Sequence, residues 1–141
     1  MNNMERRRFL LLFAAVPGLL PAQQRLLRGK LTKGPGGAPA LQGSDGRLTL
    51  LDGDSDTVGV LKDARLAGSD FEVAGQAPEP GKFKIAPIHT RALFTYKNDH
   101  RWMVTYWCEV CAIRTYTPGI CWCCREETAL DLIEPDKAEK S

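Results

Sequence analysis

All five cysteines of this 141-residue chain fall between Cys108 and Cys124, in the run YWCEVCAIRTYTPGICWCCREE. Cys108 and Cys111 form one C-x2-C pair, Cys121 and Cys124 form a second, and nine residues separate the pairs. A C-x2-C turn directs two thiolates toward one point, so two such turns at opposite ends of a hairpin can surround one Zn²⁺ with four sulfurs. The intervening AIRTYTPGI has strand-prone Ile, Thr and Tyr and then Pro118-Gly119, a strong turn. Cys123 is left over and could replace Cys121 or Cys124 among the ligands. Tyr106, Trp107, Tyr116 and Trp122 flank the cysteines, where they are expected to exclude water from the cluster.

The arrangement resembles a zinc ribbon or zinc knuckle. That resemblance implies a structural zinc on Cys108, Cys111, Cys121 and Cys124, with no coordination position left for a substrate water, which argues against hydrolytic zinc chemistry. Three other readings compete. Disulfides suit an oxidising compartment, although an odd count strands one thiol. Trp107-Cys108-Glu109-Val110-Cys111 also resembles the W-C-x-x-C of thioredoxin-like oxidoreductases, which implies a cysteine activated at a helix N-terminus. Here the pair ends a β run and is followed by poor helix material. Iron or an iron–sulfur centre is the third, since four cysteines hold it equally well.

Residues 4 to 22, MERRRFLLLFAAVPGLLPA, have a charged start, an apolar run from Phe9 to Leu20 and small residues before Gln23. This is the plan of a secretory signal peptide, and the run is too short to span a bilayer of about 30 Å. Arg6-Arg7-Arg8-Phe9-Leu10 resembles the twin-arginine export signal, which implies export in a folded state, often with a metal or cofactor already bound; the alternative is an ordinary general-secretion signal with three positive charges. The expectation is an exported protein, periplasmic or extracellular, with no membrane span after cleavage. Its charge changes with it. The whole chain carries 19 basic and 17 acidic residues; removing Arg6, Arg7, Arg8 and Glu5 leaves both counts at 16. A bulk basic surface for nucleic acid is therefore not expected.

From Arg28 to Trp107 the chain is punctuated by Gly, Pro and Asp between short apolar stretches, the pattern of a β protein. Expected strands cover 28–32, 47–51, 70–75, 82–87, 92–97 and 101–107, with Ser44-Asp45-Gly46 and Lys97-Asn98-Asp99 as hairpin turns. Alternation predicts Phe83 and Ile85, and likewise Leu48 and Leu50, on buried faces. The spacing predicts one helix over 57–66, and KGPGGAPA at 33–40 reads as a flexible connection. Element order resembles an OB-fold, a small partly open β-barrel. The expected organisation is thus a signal peptide at 1–22, an OB-like β domain at 23–107, a cysteine-rich metal-binding hairpin at 108–132 and a frayed tail at 133–141. Residues 125–132 can form a helix or a last strand.

His89 and His100 are isolated, with His89 the better ligand or base candidate because it follows one expected strand and lies just before the sheet that carries Cys108. Asp52, Asp54, Asp56 and Asp63 echo a calcium loop, but the sixth position is Thr57 rather than Gly, so a solvated turn is expected. No nucleophile–base–acid order, phosphate loop or carboxylate pair stands out, and no catalytic residue is assigned. The functional expectation is an interaction or accessory module in the cell envelope with a protein partner. The other class is an oxidoreductase or electron-transfer protein using Cys108 and Cys111 or thiolate-bound iron.

Overall fold

The computed structural model describes residues 24–138, so the signal peptide expected at 1–22 lies outside the described residues. Five strands close a barrel: β1 (Arg25–Lys33), β2 (Pro39–Gln42), β3 (Leu48–Asp52), β4 (Asp70–Glu79) and β5 (Lys82–Ile85). Their pairing runs β1-β2-β3-β5-β4 and back to β1, antiparallel except for β3 with β5. Closure on β1 leaves the ring without a free edge. The helix α1 (Ser55–Leu61) sits between β3 and β4. The protein is mainly β, with the OB-like barrel and the short helix within it that the element order suggested.

Two local expectations are corrected. The stretch 33–40 is not merely a connection: Gly34 and Ala38 close a 3-10 turn, and β2 begins at Pro39, with Ala40 and Leu41 fully buried between β1 and β3. Proline is tolerated there because it opens the strand. In β3 the buried residue is Leu51, aligned with Phe83 across the parallel pair, while Leu48 is 43% exposed. Alternation then turns Leu50 away from the core, where it packs against Gly34. Two leucines two apart in sequence show that they share a face, and the leucine next to them shows that the other face is apolar too.

The helix starts where Asp54 accepts hydrogen bonds from the Thr57 amide at 2.8 Å and its hydroxyl at 2.7 Å. It stops at Leu61 rather than running to Leu66, because Asp63 adopts an extended conformation and caps a separate 3-10 turn, Ala64–Leu66, through the Arg65 amide. Val60, Leu61 and Leu66 are buried in the core that the barrel strands enclose.

A second group of strands extends from β4: β6 (Leu93–Lys97), β7 (His100–Cys108), β8 (Ile113–Thr115) and β9 (Ala129–Ile133). Asp70 to Val73 pair with β6, whereas Gly75 onward pairs with β5. One edge of β4 therefore passes from the extension to the barrel. At that handover a Cβ on Gly75 would lie 2.0 Å from the Lys84 carbonyl oxygen, so only glycine fits. The β6–β7 hairpin turns through Asn98 and Asp99 at φ 53° and 60°, as its sequence predicts. Met103 of β7 pairs with both Phe94 and Ile133, and Tyr106 with both Thr115 and Leu130. Thus β9 occupies one edge of β7, while β6 and then β8 share the other. Val104 and Tyr106 of β7 join the barrel core with Phe71, Val73, Phe83 and Ile85.

Two glycines give opposite predictions. Gly75→Ala should destabilise the protein by about 2 kcal/mol or more, since backbone must move to admit the methyl group. Gly59→Ala, in α1 where a Cβ meets nothing within 4 Å, should stabilise it by about 0.5–1 kcal/mol. Urea unfolding of both variants checks the pair.

Candidate metal centre

The first cysteine pair forms the tip of the β7–β8 hairpin. Cys108 is the last residue of β7, and β8 returns so that Ile113 pairs with Cys108. The second pair forms the tip of a smaller hairpin in which Ile120 pairs with Glu127. There the Cys121 amide donates to the Glu126 carbonyl at 2.8 Å, and the Arg125 amide donates to the Cys121 carbonyl at 2.8 Å. Thr128 closes its base, donating both its amide and its hydroxyl to the Gly119 carbonyl at 3.0 and 2.9 Å. The residue after each second cysteine is left-handed, Ala112 at φ 52° and Arg125 at φ 62°. The two loops are thus alike in more than cysteine spacing.

The sulfurs of Cys108, Cys111, Cys121 and Cys124 all lie within 4.8 Å of one another, with Cys108 and Cys124 at 3.4 Å. A disulfide requires about 2.05 Å, whereas four sulfurs about 2.3 Å from a central zinc stand about 3.8 Å apart. The Cys108–Cys124 separation is far too long for a disulfide and close to the edge of such a tetrahedron. Amides point at the same sulfurs: Cys111 N–H donates to Cys108 Sγ and Glu126 N–H to Cys124 Sγ, each at 3.4 Å. Backbone amides of Cys124 and Cys123 favour the Cys121 thiolate and bring its pKa down to about 7. The thiol of Cys111 is pushed the other way, chiefly by the neighbouring Cys123 and by desolvation. Four sulfurs with aligned N–H donors make a donor set suited to a thiophilic cation.

Cys123 is exposed and outside this four-sulfur group. Among the described residues, no other group of His, Cys, Asp and Glu comes close enough to hold an ion. His89 lies in a 3-10 turn at His89–Arg91, and His100 begins β7, its ring tilted at 58° against Trp102 and 3.9 Å from Glu134, at the opposite end of that strand from Cys108. Asp54 is a helix cap, and Asp52 bonds to the amide of Gly53. The expectation for Trp122 is corrected: it is 79% exposed and shields nothing. Tyr106 is fully buried, but in the barrel core. The W-C-x-x-C likeness finds no helix, since Cys108 is buried at a strand end and β8 follows.

Sequence reading did not find what fastens this lobe to the barrel. Tyr106 donates its hydroxyl to Asp63 at 2.7 Å, Arg65 pairs with the same carboxylate at 2.9 Å, and Arg65 also donates to the Thr128 carbonyl at 3.0 Å. On the far side of β7, Arg114 donates to Asp131 and to the Thr105 hydroxyl, both at 2.6 Å. Apart from Arg65 and Asp63, which are neighbours in sequence, these partners are 9 to 63 residues apart, and no local pattern announces them. Comparison with protein-family profiles, curated proteins and solved structures finds no match to the chain.

Burial raises the pKa of Asp63, but hydrogen bonds from Arg65 and Tyr106 outweigh it and leave the value below the ordinary one. A lowered folded-state pKa contributes stability above the unfolded value of about 3.9, lost as pH falls through the folded value. Asp63→Asn should therefore cost about 1–3 kcal/mol at pH 7, with the deficit shrinking below pH 4, as chemical denaturation at the two pH values would show. Ala112→Gly and Arg125→Gly should each stabilise the apo protein by up to about 1 kcal/mol by relieving the left-handed conformation; thermal melts after chelation check this.

Proposed function

We propose that Cys108, Cys111, Cys121 and Cys124 hold one structural Zn²⁺, and that the protein is an exported interaction or accessory module of the cell envelope. The observation that carries the metal reading is the convergence of four sulfurs from two hairpin tips to within 4.8 Å. Zinc supplies a tetrahedral tie between the tips, and its binding energy becomes folding energy of the lobe. With sulfur in all four positions no site remains for substrate, which supports a structural rather than a hydrolytic role. The export reading rests on Arg6 to Leu10 and the apolar run that follows. Zinc bound before a folded export would protect the thiolates from an oxidising compartment. No helix among the described residues is long and apolar enough to cross a membrane. Iron fits the same four thiolates, and its colour distinguishes it from zinc.

Native mass spectrometry of the exported protein should give one zinc per chain and a mature N-terminus at Gln23. Serine at any of the four ligand cysteines should lose the metal, while Cys123→Ser keeps it. Chelation should lower the melting temperature by about 10–20 °C if the tie contributes as little as ~3 kcal/mol. A metal-free mass two hydrogens lighter per cysteine pair would replace zinc with disulfides. A coloured protein carrying iron would replace it with an iron centre.

A further inference from the structure

The end of the molecule that carries the cysteines also carries apolar side chains the fold does not use. Val110 is 69% exposed, Ile120 69% and Trp122 79%, half of the six exposed large hydrophobic residues among those described. Each is next to a cysteine of the four-sulfur group, so all three lie at the cysteine end of the molecule. Of the other three, Leu26 and Leu48 are on barrel strands and Ile88 precedes the 3-10 turn His89–Arg91. Exposed tryptophan on a rigid scaffold is a feature of binding surfaces, because it contributes large contact area for little ordering cost.

Val110 also walls a cleft of about 400 Å³, together with Trp107 and Ala129 and with Glu109, Glu126 and Glu127. None of the three glutamates makes an ion pair within 4.0 Å among the described residues, although Glu127 lies in the field of Arg65. Cys108 and Cys124 line the same cleft. A zinc held by four thiolates adds a net charge of about −2 there. Nearby Arg114 is committed to Asp131, leaving exposed Arg125 as the one countercharge between Cys108 and Thr128.

We propose that this face docks a segment of a partner protein that presents arginine or lysine between apolar side chains, the cation entering the glutamate-lined cleft and the apolar groups packing on Val110, Ile120 and Trp122. This deepens the interaction-module reading and draws part of its charge from the zinc reading. Charge complementarity selects the occupant. An anionic lipid surface or an acidic peptide meets like charge, and a second copy docking through the same face would set glutamates against glutamates.

The test uses the full chain, its metal content measured first, with a fluorescein-labelled peptide of alternating arginine and leucine read by fluorescence anisotropy. A glutamate-for-arginine peptide is the control. The basic peptide should bind and the acidic one should not, with affinity falling as salt rises. Trp122→Ala, and Glu126→Gln combined with Glu127→Gln, should each weaken binding roughly tenfold or more while metal content and melting temperature stay unchanged. Equal binding of the two peptides, no binding of either, or indifference to both variants overturns the proposal. So does Trp122-dependent binding to phosphatidylcholine vesicles, or a dimer in sedimentation that Trp122→Ala dissolves. Zinc present without peptide binding removes the docking proposal alone. Peptide binding that follows these residues in a metal-free protein removes the zinc reading alone.

Discussion

The carboxylate of Asp63 is the point on which barrel and cysteine lobe depend together. Its side chain is only 6% exposed, and a buried charge of this kind is tolerated only if its oxygens are fully engaged. Tyr106, Arg65 and the Arg65 amide engage them from two sides. Tyr106 belongs to the strand that ends in Cys108, while Arg65 reaches onward to the Thr128 carbonyl at the base of the second cysteine hairpin. One buried anion thereby positions both hairpins against the helix end of the barrel. Removing Arg65 leaves the carboxylate without its countercharge, and removing Tyr106 takes a donor from a buried carboxylate oxygen, which is why this network acts on lobe geometry and barrel stability together.

The outer face of the sheet is held by a different device. Arg28 pairs with Asp70 and lies over the Tyr96 ring at 3.6 Å; Tyr96 donates to Glu72; Arg101 pairs with Glu72 at 2.8 Å and lies over Phe94 at 3.6 Å. The chain of charges and rings crosses β1, β4, β6 and β7, the strands joining barrel to extension. Exposed pairs such as Arg28–Asp70 contribute little individually, about 0–1 kcal/mol, and stacking on rings adds a comparable amount. Their value is in register: a slip of one residue in β6 would carry Tyr96 and Phe94 to the other face and take the Tyr96 hydroxyl away from buried Glu72.

What was legible in the chain was what is local. Asn98-Asp99 fixes its own turn, and C-x2-C brings its own two sulfurs together. Strand β2 escaped notice because a Gly- and Pro-rich segment has little apolar pattern, and what makes Pro39 to Gln42 a strand is a partner on each side. The helix end was misplaced because Asp63 is claimed by Tyr106, 43 residues away. Trp122 was expected to dry the cluster because it stands between two cysteines. A residue in the middle of a C-x2-C turn points away from the sulfurs that the turn gathers, and Val110 in the other turn does the same.

That outward orientation bears on how the lobe can be stable. From Cys108 to Thr128 the only buried residues are Cys108, Cys121 and Thr128, so no leucine, valine, isoleucine or aromatic ring of this segment enters a core. Two hairpins of this size, each bearing a strained left-handed residue, lack the apolar burial that ordinarily offsets the entropy of ordering roughly twenty residues. Their anchorage to the barrel reaches the bases of the hairpins, at Tyr106 and Thr128, and not the tips. Four sulfurs gathered at the tips are where the missing stabilisation can enter, through a cation that binds only the folded arrangement. A lobe held from inside by a metal does not need its apolar side chains for its own core. This leaves Val110, Ile120 and Trp122 able to serve a surface instead.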